Sequence, residues 1–297
     1  MKNEKTIYAL GFFDGGHLGH QALLAACRSL AEQTGMTPGV VTFAGHPDTI
    51  LSGSTPPFLN TMEDRERLLR QYGMETVRVL PFDENLMRMP WQEFFRLLRE
   101  DYAAAGLVCG WDFRFGYRGE GTAEKLKAAC EAAGIPCAVV PQQTVDGIRV
   151  SSTHIRALIE NGEMEAAVKF LGHPHILTGV VQKGATLGRK MGTPTANLVI
   201  SGGQIVPKFG VYACQIATQQ GNFLAVTNVG TRPTVAGIGV TVETWILDYQ
   251  GDLYGREITL EFYKFLRPEI RFASLGELQQ AVRADAEKTK EILRGIS

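Results

Sequence analysis

Apolar positions recur along this chain in two rhythms, and the change between them falls near residue 173. In the first part, short apolar runs alternate with stretches of helical spacing. "TIYALGFF" reads as a strand; Leu23, Cys27, Leu30 and Ala31 then share one helical face, and Gly35 is placed to stop the helix. "PGVVTFAGHP" is a second strand and loop, Arg65 to Tyr72 is helical, and "TVRVLPF" is a third strand. "PWQEFFRLLREDYAAAG" is a helix with Pro90 near its first turn, followed by "LVCGWDF" as strand, "AEKLKAACEAAG" as helix and "PCAVVPQQ" as strand. Strands separated by helices predict a mostly parallel sheet with crossover connections.

"SSTHIRALIENGEMEAAVKFLGHP" predicts two short helices closed by Gly162 and Gly172. Beyond it the period drops to two. Strands are expected at 176–182, 197–200, 210–217, 223–229, 240–247 and 256–265, with Gly, Pro, Asn and Asp between them. Six antiparallel strands without an intervening helix predict a small barrel. "SLGE" at Ser274 to Glu277 is a capping box that opens a last helix running to about Arg294, with Leu275, Leu278, Val282 and Ala286 expected to face the barrel. The expected domains are therefore residues 1–173, α/β, and residues 174–297, all-β with a C-terminal helix.

Composition narrows the function classes. The 297 residues are 44% hydrophobic and 21% charged with a net charge of −1, which suits a soluble protein of two domains and argues against a nucleic-acid partner. Five cysteines without C-x-x-C spacing predict neither a disulfide framework nor a zinc site, and suggest a reducing, cytoplasmic setting. No apolar run approaches the ~20 residues of a membrane span, so no membrane partner is expected.

Candidate chemistry begins at "GFFDGGHLGHQALL", where glycines and the pair His17/His20 stand at a strand-to-helix junction. The pair could serve a metal or a phosphate. A metal needs further ligands, and no carboxylate stands at zincin spacing. Glycines admit backbone N–H groups to a phosphate, and a helix N-terminus favours negative charge, so Gly11, Phe12, Asp14, Gly15, His17 and His20 are read as an anion site. The glycines fit neither G-x-G-x-x-G nor a Walker loop. Ser151, Ser152, Thr153 and Arg156 in "VSSTHIR" offer hydroxyls, a helix cap and a cation one turn on.

In the second part, "KGATLGRKMGTPTANL" is one residue short of a Walker loop. Thr195 and Asn197 stand two apart in an extended segment, so both side chains face one way, as a pair of neutral oxygen donors for Mg²⁺ would. In "VTVETWIL", Glu243 lies in a strand whose two faces both look apolar. It is expected to be buried, either as the ion-pair partner of an arginine such as Arg267 or as a general base.

These motifs occur in an order that resembles the prokaryotic bifunctional riboflavin kinase/FAD synthetases. G-x-F-D-G-x-H-x-G-H, "TFAGHP", "GWDFRFG" and "SSTHIR" resemble the adenylyltransferase half; G-x-x-x-G-R-x-x-G-x-P-T-A-N-L, "GVYA", "TNVGTRPT", "VET", "DLYG" and "LRPE" resemble the kinase half. The resemblance spans roughly residues 8 to 294. It implies a Rossmann-like nucleotidyltransferase domain followed by a six-stranded barrel. It implies that His17, His20 and Arg156 handle ATP phosphates, and that His46, Asp112, Phe113, Phe115 and Gly116 shape a flavin/nucleotide pocket. In the kinase half it assigns Lys183, Gly184, Gly188, Arg189, Gly192, Pro194, Thr195 and Asn197 to ATP, with the last two on Mg²⁺, and Glu243 as base for the ribityl 5′-hydroxyl. The substrates and products implied are ATP, riboflavin, FMN and FAD, handled by a monomer or weak homo-oligomer. The chain departs from the family pattern at Ala44-Gly45, where Asp-Pro is expected, at Thr193, where an aromatic is usual, and at Trp245, where His is frequent. The rivals are a single-function nucleotidyltransferase and a flavin-sensing regulator with a non-catalytic barrel.

Overall fold

The computed structural model describes residues 5–46, 49, 55–182, 195–200, 202–218, 220–234 and 237–295. It divides into two compact units. The first comprises Met1–Pro57 and Met62–Ser151, the second Phe58–Thr61 and Ser152–Ser297.

The first unit is built on five parallel strands in the order β3-β2-β1-β4-β7: β1 (Thr6–Leu10), β2 (Thr37–Ala44), β3 (Thr76–Pro81), β4 (Ala104–Gly110) and β7 (Cys137–Val140). Helices α1 (Leu18–Thr34), α2 (Met62–Gln71), α3 (Glu84–Arg88), α4 (Trp91–Glu100) and α5 (Ala123–Ala132) connect them, and two short hairpins follow β4 and β7: β5 (Arg114–Phe115) with β6 (Gly121–Thr122), and β8 (Thr144–Val145) with β9 (Ile148–Arg149). The chain steps outward from β1 to β2 and β3, then returns past β1 to β4. The loops after β1 and β4 therefore diverge, and a crevice opens at their carboxyl ends.

One core layer, including Ile7, Ala9, Leu24, Cys27 and Val40, packs α1 on the sheet, and a second, including Tyr8, Leu10, Phe94, Leu98, Leu107 and Leu126, packs α4 and α5 on it. The α1 face and its left-handed Gly35 cap agree with the sequence pattern. Two expectations change. The strand of "TIYALGFF" ends at Leu10, because Phe13 turns left-handed at φ 58°. The helix from Pro90 stops at Glu100, and Ala104 and Ala105 belong to β4. Three alanines favour helix by propensity, but Ala104 is buried in the sheet and pairing with β1 prevails.

The second unit begins with α6 (Ser152–Asn161) and α7 (Met164–Leu171), followed by a closed antiparallel barrel. Its strands are β10 (His175–Gln182), β11 (Thr195–Ile200), β12 (Gly210–Thr218), β13 (Gly221–Thr234), β14 (Gly237–Ile246) and β15 (Glu257–Arg267), in the order β10-β11-β14-β13-β12-β15. The segment Phe58–Thr61 joins this unit through Phe58 N to Gly203 O and Ile205 N to Phe58 O, both 2.7 Å.

Helix α8 (Leu275–Ile292) opens at the expected cap, Ser274 Oγ accepting from Glu277 N at 3.2 Å. Its buried residues are Asp285, Ala286 and Thr289, followed by Leu293; Leu275, expected on that face, is 58% exposed. The helix is oriented by Asp285, which accepts from Arg267 Nε (3.0 Å) and Nη2 (2.9 Å), and the first turn lies clear of the apolar cluster of Val211, Val226, Leu247 and Ala286.

Candidate active sites

In the first unit, the crevice after β1 and β4 holds two adjoining features. The first is the loop "DGGHLGH", read above as an anion site. Gly15 and Gly16 take φ of 79° and 54° in a single 3₁₀ turn, and His17 caps α1 by accepting from His20 N on Nδ1 at 3.3 Å. A neutral His17 so bound carries its proton on Nε2, the tautomer that offers a donor. The two imidazoles stack at 3.6 Å with 11° between planes. Gly19 makes room for this: a Cβ there would lie 3.2 Å from the His17 ring. Burial, then the charges of His17 and Arg65, hold the His20 pKa well below its ordinary value, so His20 is neutral at pH 7. Among the described residues, buried His20 Nδ1 has no hydrogen-bond partner.

Arg65, which the sequence pattern did not single out, organises this corner from α2. Its guanidinium lies 4.4 Å above the Phe12 ring, donates to Phe43 O at 3.3 Å, and meets Asp14 at 3.5 Å. Asp14 is turned inward and 1% exposed, so it holds the loop rather than offering a carboxylate to a ligand. His46 sits edge-on to Phe12 at 5.1 Å.

The second feature is a cavity of about 670 Å³. It brings together Gly11, Phe12, Asp112, Phe113, Phe115 and Gly116 of the predicted set, and adds Phe43, Phe82, Leu86, Met87, Phe94, Arg114 and Arg118. Phe113 and Phe115 stack at 5.4 Å, and Asp112 is ion-paired with Arg149 of the β8–β9 hairpin. An apolar, aromatic cavity with a few charged groups suits a large planar ring. Phe43 and Arg114 lie within the quoted motifs "TFAGHP" and "GWDFRFG"; Phe82, Leu86, Met87, Phe94 and Arg118 are not singled out by the sequence pattern. Ser151 closes the first unit. Ser152, Thr153 and Arg156 lie on α6 in the second.

In the second unit, Lys183, Gly184, Gly188, Arg189, Gly192, Thr193 and Pro194 lie outside the described residues. Thr195 opens β11 and lines a cavity of about 240 Å³ with Val181, Ile246, Tyr249 and Leu253. Asn197 stands directly across from Glu243 on β14. The expected alternation of β14 holds: Val242, Thr244 and Ile246 point into the barrel. The expected burial of Glu243 does not. It lies half-buried on the outer face with Thr241 and Trp245, because that face opens beyond the cluster that α8 covers. Nor does Arg267 pair with it. Arg267 is committed to Asp285, and Asn228 and Val211 stand between the two in the same cross-strand row. Among the described residues the Glu243 carboxylate makes no ion pair or hydrogen bond, so it is open to a ligand.

Comparison with known proteins decides the family. The FAD synthetase family matches residues 1–154 and the riboflavin kinase family residues 171–293. The chain belongs to the bifunctional riboflavin kinase/FMN adenylyltransferases. It is 31% identical to such a protein of Listeria monocytogenes over 96% of this chain and 91% of the relative, and 34% identical to that of Escherichia coli K12 over 97% and 93%. A crystal structure from Streptococcus pneumoniae superposes with a TM-score of 0.88 at 31% identity, covering 97% of this chain and 94% of the other. That structure is described as a macrolide-efflux protein. Among the described residues here, no helix is long and apolar enough to cross a membrane.

Proposed function

We infer that this chain makes FAD from riboflavin in two steps, one in each unit, and that the residues above divide the work as follows. In the second unit the ribityl 5′-hydroxyl of riboflavin attacks the γ-phosphorus of ATP, its proton passes to Glu243, and ADP leaves. In the first unit an ionised phosphate oxygen of FMN attacks the α-phosphorus of a second ATP, the α–β bridge breaks, and pyrophosphate leaves. That attack needs no base, so its site needs only donors and positioning.

The observation that carries this reading is the adjacency, around Gly11 and Phe12, of an aromatic cavity sized for a flavin ring and a stacked histidine pair at a helix N-terminus. Imidazoles beside a helix N-terminus offer N–H donors and the positive end of a dipole to a polyphosphate. Arg156 is proposed as a further phosphate ligand. In the kinase unit the carrying observation is Glu243, uncommitted and opposite Asn197.

Thr195 and Asn197 present hard, neutral oxygen donors, which fit a Mg²⁺ ion that keeps waters and takes phosphate oxygens. When bound, that ion would neutralise charge on the transferring phosphate. Among the described residues no three His, Cys, Asp or Glu groups gather as a metal site, in keeping with an ion held largely by nucleotide.

The test incubates the protein with riboflavin, ATP and MgCl₂ and separates the flavins over time. FMN appearing first and FAD following is the expected result. FAD from supplied FMN with no FMN from riboflavin would leave a single-function nucleotidyltransferase, and neither product would leave a flavin-binding regulator.

A further inference from the structure

Two motifs of the kinase half, "TNVG" and "LRPE", have so far no chemical task. They meet beside Glu243. Asn228 on β13 is the cross-strand partner of Glu243 on the side opposite Asn197. Directly opposed side chains in an antiparallel pair have Cβ atoms about 5 Å apart. Glu269, two residues beyond the end of β15, folds back over the same face and accepts from Asn228 Nδ2 at 3.0 Å. It rests in the space that Gly230 leaves: a Cβ on Gly230 would sit 2.2 Å from Glu269 Oε1. Asn228 and Gly230 are two apart on one strand and so share this face. The outer face thus carries, side by side, Asn197, Glu243, Asn228 and Glu269.

The chemistry of this row is asymmetric. On the assignment of Glu243 as base, Asn197 marks the nucleotide flank. The attacking hydroxyl must then arrive from the other flank, and it is the last of a chain of hydroxyls along a flexible carbon backbone. Successive hydroxyls on such a chain lie about 2.5–3 Å apart, so those next to the attacking one fall within hydrogen-bond reach of the strand adjoining Glu243. That strand offers Asn228, whose amide has an uncommitted carbonyl oxygen and a second N–H among the described residues. Glu269 adds carboxylate lone pairs beyond the one Asn228 occupies. A carboxamide beside a carboxylate supplies the alternating donors and acceptors that a run of hydroxyls requires. All three groups are half-buried or exposed, hence reachable by substrate.

We propose that Asn228 and Glu269 form the subsite that binds the internal hydroxyls of the ribityl chain, and that they thereby set the kinase's specificity for a polyol-bearing flavin. The proposal rests on Glu243 being the base, and its test separates the two claims. Glu269 fixes the Asn228 amide, and the pair holds the chain so that only its terminal hydroxyl reaches Glu243.

The experiment compares two substrates on the full-length protein: riboflavin, and a flavin whose side chain is 5-hydroxypentyl, which keeps the terminal hydroxyl and lacks the internal ones. The wild-type protein is expected to prefer riboflavin in kcat/KM by about 10–100-fold, the usual discrimination from one or two hydrogen bonds that include a charged partner. Asn228→Ala and Glu269→Ala should each lower kcat/KM for riboflavin, mainly through KM, and leave the hydroxypentyl flavin within about two-fold, so that the preference collapses. Gly230→Ala should act like Glu269→Ala, because the new methyl displaces a flexible carboxylate while every polar group remains. The retained rate on the hydroxypentyl flavin, with a thermal melt of the barrel, reports that each variant is folded. Equal losses on both substrates would overturn the proposal and make the pair structural. So would an unchanged preference in all three variants, or a wild-type protein without preference. Glu243→Gln should depress both substrates alike; if it leaves both rates intact, the base assignment fails by that result alone.

Discussion

Thr227 and Thr244 share a hydroxyl–hydroxyl hydrogen bond of 3.0 Å inside the barrel, at the rung next to the one where Asn228 faces Glu243 on the outside. Both threonines are fully buried. The dipeptides Thr-Asn and Glu-Thr therefore pair antiparallel, with the threonine rung inward and the Asn228–Glu243 rung outward. A slip of one residue would turn Glu243 into the core and leave two buried hydroxyls without partners. The inner rung is a register pin for the outer one. Thr244→Val should cost about 1–3 kcal/mol, since it leaves Thr227 desolvated and unpaired, and adding Thr227→Val should recover part of that loss. Urea unfolding of the two variants measures it; a double variant weaker than the single one by a further full increment would contradict the pairing.

Glu243→Gln keeps shape and removes basicity. Riboflavin phosphorylation should fall by about 10²–10⁴-fold, toward the lower end because loose phosphoryl transfer depends little on early deprotonation. FAD formation from FMN should be unchanged. Two initial rates on one protein decide this, with a thermal melt to exclude a structural loss.

His17→Ala or His20→Ala should slow FAD formation by about 10²–10³-fold, the typical loss for one donor to a developing anion, and spare FMN formation. The reverse pattern would reassign the two units.

Acid should weaken both units through buried neutral histidines. Burial holds the His20 pKa well below its ordinary value and brings that of His175, in the barrel, to about 3. A histidine whose folded pKa is lowered binds fewer protons folded than unfolded. Its contribution is intact above about pH 6.5 and is lost progressively as pH falls toward the folded pKa. Melting temperature should therefore drop from pH 7.5 to pH 5. Replacing His175 by Phe should flatten the part that belongs to the barrel. A barrel transition with the same pH slope in wild type and variant would refute the attribution.

A fragment beginning at Ser152 should fold and phosphorylate riboflavin, and should melt higher than one beginning at Leu171. Helices α6 and α7 pack with the barrel: Met164, Ala167, Phe170 and Leu171 are buried, Lys208 N donates to Ile159 O at 3.3 Å, and Lys264 pairs with Glu165 at 2.8 Å. Comparing the two melts checks whether the working boundary lies at Ser152 or nearer residue 173.

What the sequence made legible was local. The glycine-and-histidine junction, the caps at Gly35 and Ser274, and the alternation of β14 all depend on residues within one turn or one strand. What it hid depends on partners far along the chain. Arg65 reaches Phe12 and Asp14 across some fifty positions, and nothing in "EDRERLL" marks it apart from its charged neighbours. Asp14 reads, with the glycines around it, as part of an anion site; its inward turn, toward that distant guanidinium, is not legible. Glu243 read as buried because its strand neighbours are apolar. Composition shows that two faces are hydrophobic, but not that one of them extends past the helix that would cover it. The flavin-sized cavity was only half visible, since Phe43, Phe82 and Phe94 each look like ordinary core until the sheet order brings their ends together.

The barrel closes by pairing β10 with β15, His175 opposite Phe262, and the chain reaches Glu269 and Asp285 only after that. The sheet of the first unit is complete by Val140. On a ribosome, which releases the N-terminal end first, the adenylylating unit has every strand it needs while the kinase still lacks its closing one. A chain cut short by premature termination between α7 and β15 would leave a unit able to consume FMN and none able to make it.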